Sequence, residues 1–131
     1  MLTLAITDFE ADPDRVSEIL QIGPTNVTRI GDISRSGRSA EFNGWWLEAH
    51  GERLVDGAQH AAALTIIIEH LRGKEENFAL LRQHVRPESV NVYGGLYLSA
   101  EEQSGVWLAP AEMQVLAACG VGWGLDLLVR D

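Results

Sequence analysis

Apolar and small polar side chains alternate along the first nine residues, with Leu2, Leu4 and Ile6 set against Thr3, Ala5 and Thr7. A two-residue period is that of a half-buried strand, and it predicts one over Met1 to Phe9. The period lengthens after Asp12-Pro13, where Val16, Ile19 and Leu20 share one side of a helix. Asp is a good N-cap, Pro suits the first helical position, and Gly23-Pro24 ends the helix. Asn26 to Gly31 reads as a short edge strand, and Asp32 to Asn43 as a polar loop rich in Ser, Gly and Arg. Gly44 to His50 is a strand with Trp45, Leu47 and Ala49 on one face and Trp46, Glu48 and His50 on the other.

Leu54 to Arg72 predicts the longest helix, with an apolar stripe of Val55, Ala58, Ala62, Ile66, Ile67 and Leu71. Gly73 breaks it, and Lys74 to His84 continues as a second helix with Phe78, Leu81 and Val85 at helical spacing. Ser89 to Leu98 is strand-like, with Gly94-Gly95 a candidate bulge or bend. A polar turn over Glu101 to Ser104 and a short strand over Gly105 to Leu108 follow. Pro110 then opens a helix that stops at Gly120. In the last segment Val121, Trp123, Leu125, Leu127 and Val129 alternate with Gly122, Gly124, Asp126, Leu128 and Arg130. The order predicts an α+β fold: a largely antiparallel mixed sheet with helices packed on one face, in a single domain over residues 1–131.

Charge narrows the partner class. Ten basic residues against nineteen acidic ones leave a net charge of −9. Nucleic-acid surfaces need clustered Lys and Arg, so this balance argues against one and favours a basic partner. The apolar stretch Ala61 to Ile68 is too short to cross a bilayer, so no membrane role is expected. No basic segment leads into an apolar run at the N-terminus, and the cytoplasm is the expected location. The single cysteine, Cys119, cannot form an internal disulfide and reads as a small buried hydrophobe.

No pattern of catalytic chemistry stands out. Ser34, Ser36 and Ser39 lack a nucleophile elbow, and the Gly-rich pieces at Tyr93 to Gly95 and Gly120 to Gly124 match no phosphate loop. His60 and His70 are ten residues apart, roughly 280° around a helix, so they make no metal pair. Arg29, Arg35 and Arg38 form a small basic cluster suited to a carboxylate or phosphate. Asp8 and Asp126 lie on opposite sides of their apolar rows. No cofactor or metal is expected. Strand alternation is more specific. With Leu2, Val90, Trp45 and Trp123 toward the helices, the opposite face holds Trp46, Glu48, His50, Tyr93, Trp107 and Asp126, with Arg130. Aromatics beside charges on an uncovered face suggest a binding surface; packing under the Ser34 to Phe42 loop, or in a homodimer seam, is the alternative.

Pro13, Val16, Ser17, Leu20, Ile22, Pro24 and Thr25, then Gly31 and Trp45, fit the pattern P-x-x-[IV]-[ST]-x-x-L-x-I-x-P-[ST], a glycine and a tryptophan-bearing strand. Leu116, Gly120 and Asp126 close it. In these residues the chain resembles the bacterial family catalogued as domain of unknown function 4279. It departs from it at Leu127, where an aromatic is expected after the aspartate. The resemblance implies the fold and brings no activity, cofactor or catalytic residue.

The expected function is therefore non-enzymatic binding of a protein partner, in the manner of a toxin-immunity-type inhibitor, by analogy with small acidic domains. A small-molecule or enzymatic site on the same face, and a structural subunit of a larger assembly, are the alternatives.

Overall fold

A computed structural model of the chain describes residues 1–101 and 103–130, without the side chain of Arg130. Among the described residues the order is β1 (Leu2–Phe9), α1 (Pro13–Leu20), β2 (Asn26–Thr28), β3 (Asn43–His50), α2 (Gly57–Leu71), α3 (Glu75–His84), β4 (Ser89–Ser99), α4 (Pro110–Cys119) and β5 (Gly122–Arg130). The sheet order is β2-β3-β1-β4-β5. The first three pairings are antiparallel. β4 and β5 run parallel, and α4 supplies the crossover that parallel neighbours require. The result is the expected α+β fold with a mixed sheet.

Leu2, Leu4 and Ile6 of β1 are sealed in the core with Trp45, Leu47, Val92 and Leu96 from the flanking strands. Helices supply the other half through Val16, Leu20, Leu64, Ile67, Ile68, Leu71, Phe78, Leu81 and Leu116. Trp45 donates its indole N–H to Ser17 Oγ at 3.0 Å, which fixes α1 on the sheet. The Asp12 side chain caps α1 through the Asp14 amide, and Arg29 pairs with Asp12 at 3.2 Å and Asp14 at 3.1 Å. Asn43 is a buried polar joint. Its Nδ2 donates to the carbonyls of Glu10 and Ala11, and its Oδ1 accepts the Ile30 amide.

Four expectations change. The long helix starts at Gly57, capped by Asp56 through the Gln59 amide, and not at Leu54. Leu54 instead bridges Leu96. The buried face of α2 is His60, Ala63, Leu64, Ile67, Ile68 and Leu71, whereas Val55, Ala58, Ala62 and Ile66 face outward. A segment reading AAALTIII is apolar nearly all round, so its pattern does not fix which side turns inward. Residues Gly105 to Leu108 form no strand; they run irregularly into α4. Gly94-Gly95 is not a bulge, because the β4–β5 register passes through both glycines unbroken.

Candidate functional site

The sheet's second face has no helix on it, and its relief follows from side-chain size. The central strand β1 turns Thr3 and Ala5 to this side. Thr3 stands opposite Glu48 on β3 and Tyr93 on β4; Ala5 stands opposite Trp46 and Asn91. Small residues in the middle and larger ones on the flanks leave a depression of about 530 Å³, lined among others by Thr3, Trp46, Glu48, Tyr93, Tyr97 and Asp126. On β5, Gly124 pairs with Tyr93 and Asp126 with Gly95, so each of these large groups stands beside a glycine on the neighbouring strand.

Trp46 has a reason to lie where it does. A Cβ on Gly44 would collide with the Trp46 indole. The two residues are two apart on one strand and share a face, so the ring reclines over the glycine and wall and floor become continuous. Gly44 is the positioning residue that alternation alone does not reveal. The Gly-x-Trp spacing at Gly44 and Trp46 is the signal that could have found it.

The electrostatics are one-sided. No side-chain cation pairs with Glu48 or Asp126 among the described residues. Glu48 acts on the Met1 ammonium, whose pKa burial lowers and the carboxylate raises. At the floor, Thr3 is only 7% exposed and its hydroxyl has no hydrogen-bond partner among the described residues. At the rim, the Arg53 guanidinium lies 4.8 Å from the centre of the Tyr97 ring. Three strand spacings and two residues of stagger separate Glu48 from Asp126, about 16 Å between backbone positions. At that distance the two cannot share a proton or one metal ion. They can hold two positive charges spaced along an extended ligand.

Four of the six residues expected on this face come together: Trp46, Glu48, Tyr93 and Asp126. His50 does not. A register shift between Leu2 and Thr3 sets it opposite Leu2, and its Nδ1 accepts the Glu52 amide at 3.1 Å. Trp107 does not either; it is 81% exposed on the irregular segment before α4. The side chain of Arg130 lies outside the described residues. The Ser34 to Phe42 loop contributes no lining residue, so it does not roof the aromatics. Within the basic cluster, Arg29 is engaged by Asp12 and Asp14, leaving Arg35 and Arg38 on an exposed loop. Asp8 and Asp126 sit on strands that β4 separates. Cys119 is buried, its thiol pKa raised mainly by burial, and its Sγ donates to the Leu71 carbonyl. Among the described residues no three His, Cys, Asp or Glu side chains converge as metal ligands, and no helix is long and apolar enough to cross a membrane.

The family pattern now has its structural counterpart. Pro13 to Thr25 forms α1 and its exit toward β2, and Trp45 anchors that helix from β3. The family model described as domain of unknown function (DUF4279) matches residues 1–130. The chain belongs to this family. No curated protein and no solved structure gives a significant match. Within the DUF4279 frame, the depression is a surface of this chain's own side chains: Thr3 at the floor, Trp46 and Tyr93 as walls, and Glu48 and Asp126 at opposite ends.

Proposed function

We propose that this DUF4279 protein is a binding module whose open sheet face receives a basic segment of a protein partner. The observation that carries the reading is the depression between two carboxylates without side-chain cations, walled by aromatic rings. Carboxylates and ring faces both attract Lys and Arg side chains. The Arg53–Tyr97 contact is an intramolecular example at the same rim. In an extended peptide, side chains four residues apart share a face and lie about 14 Å apart, which matches the span from Glu48 to Asp126. A toxin-immunity-type inhibitor is the specific form we favour. Such an inhibitor must cover a basic surface with acids, and a net charge of −9 speeds that encounter.

The test is calorimetric titration with extended peptides carrying two Lys or Arg residues at i and i+4, against peptides with i and i+1 spacing. We expect binding that weakens with salt, prefers the wider spacing, and drops at least about tenfold in the Glu48→Gln/Asp126→Asn double variant. Equal binding of both spacings, or an unaffected double variant, would remove the basis for the reading. The depression also falls within the roughly 300–1,000 Å³ of small-molecule sites, which supports a second reading, a cationic metabolite resting on the Thr3 hydroxyl. A thermal shift with small amines and none with peptides would favour that reading.

A further inference from the structure

We propose that β5 pairs edge to edge, antiparallel, with the β5 of a second copy across a two-fold axis, joining the two sheets. The two edges of the sheet are built differently. At one end β2 has only three residues, and the Ile33–Ser39 bridge folds the following loop back on itself. At the other end β5 runs nine residues from Gly122, with no proline and no lysine. Short strands, charges and prolines are the usual protection of a free edge, and the only charged residues in the β5 sequence are Asp126 and, at its end, Arg130.

The helices do not cover this edge. On the helix side of β5, Trp123 is 38% exposed, Leu127 60% and Val129 64%; on the other side Leu128 is also exposed. Together these leave on the order of 400 Å² of apolar surface along one strand, a patch of the size that marks interaction sites. That is about half of the roughly 800 Å² per partner of a standard interface, the size of a weak, concentration-dependent dimer. Beside the strand lies an apolar hollow of about 310 Å³ whose lining includes Leu96, Leu98, Val106, Leu125 and Leu127.

A second copy fits this edge because the edge is self-complementary. A two-fold axis through Leu127 sets Leu127 opposite its own copy and Leu125 opposite Val129, apolar against apolar. It also sets Asp126 opposite Leu128. An axis through Asp126 would oppose two carboxylates, which destabilises a pair. The Leu127 register avoids that and centres the most exposed side chains. Unlike the ligand reading above, this pairing needs no ligand and can fail or hold independently of it.

Sedimentation equilibrium of the full chain from about 5 to about 200 µM, with hydrogen exchange at both extremes, tests it. We expect a monomer–dimer equilibrium, slower exchange of the Leu125–Val129 amides at high concentration, and association at least about a hundredfold weaker in Leu127→Lys/Val129→Lys. A chain that stays monomeric throughout overturns the proposal. So does a dimer in which the β5 amides exchange equally fast at both concentrations, even if the double variant folds poorly.

Discussion

Replacing His60 with leucine should leave the protein as stable as before at mildly alkaline pH, and more stable than wild type in acid. His60 is 0% exposed, on the inner face of α2. Its Nε2 accepts the indole N–H of Trp123 at 3.2 Å, so the proton of the neutral ring sits on Nδ1. That Nδ1 is buried and has no partner among the described residues. An orphaned buried donor costs about 1–3 kcal/mol, and His60→Leu removes it. The variant gives up the Trp123 hydrogen bond, worth about 0.5–1.5 kcal/mol. It also gives up an edge-on ring contact at 5.7 Å, worth about as much. The gains and losses nearly cancel, and the two side chains are close in volume. The expected change at about pH 8 is within roughly 1 kcal/mol of zero. Burial holds the imidazole pKa below its ordinary 6.5, with Glu112 opposing the shift. Below pH 6.5 the unfolded chain therefore binds a proton that the native chain refuses. Wild-type stability falls as the pH drops from 6.5 through the lowered native value, and this component is absent in the variant. Urea denaturation at about pH 8, 7, 6 and 5 measures both effects. A loss above about 2 kcal/mol at pH 8, or a difference between the proteins that stays constant with pH, would refute the reasoning.

Asn43→Ala removes three hydrogen bonds at a buried joint and strands the Ile30 amide with two carbonyls; chemical denaturation should show a loss of about 2–4 kcal/mol. Gly44→Val puts a side chain where the Trp46 indole reclines, so one of the four indole N–H resonances should move strongly, with about 1–3 kcal/mol of destabilisation. Arg82 donates to the carbonyls of Cys119 at 2.8 Å and Gly120 at 2.6 Å, closing the end of α4. Arg82→Met should cost about 1–2 kcal/mol in thermal or urea unfolding, and Arg82→Lys should recover only part because a single ammonium cannot span both oxygens.

Where one rule governed a segment, the chain was readable. The caps of α1, the alternation in β1, β3 and β5, and the spacing of Phe78, Leu81 and Val85 all appear as expected. The inner and outer faces of the sheet followed from that alternation, which is why Trp46, Glu48, Tyr93 and Asp126 could be grouped before any coordinates. Misreadings arose where tertiary context decides. The phase of α2 depends on what it meets, since Ile66 and Ile67 are equally apolar. His50 left the group because one extra residue in β3 inverts everything beyond it. Val106 and Leu108 alternate like a strand but pack against the core from an irregular segment that no β partner meets. Gly44 read only as the first residue of its strand, because alternation does not show the Trp46 ring that reclines over it.

The place of β1 in the sheet also sets a condition on synthesis. β1 precedes all of its partner strands in the chain and becomes the central strand, with Leu2 between His50 and Gly94. Until residue 94 has been made, one side of β1 lacks its full partner strand. Its sequence LTLAI is apolar, uncharged and free of proline, the kind of segment that associates with other chains when left unpaired. Distant pairing of this kind belongs to the slower folding regime, roughly milliseconds to seconds. During elongation the strand must wait, and a chain cut off before β4 would carry an exposed, adhesive β1 in place of a core.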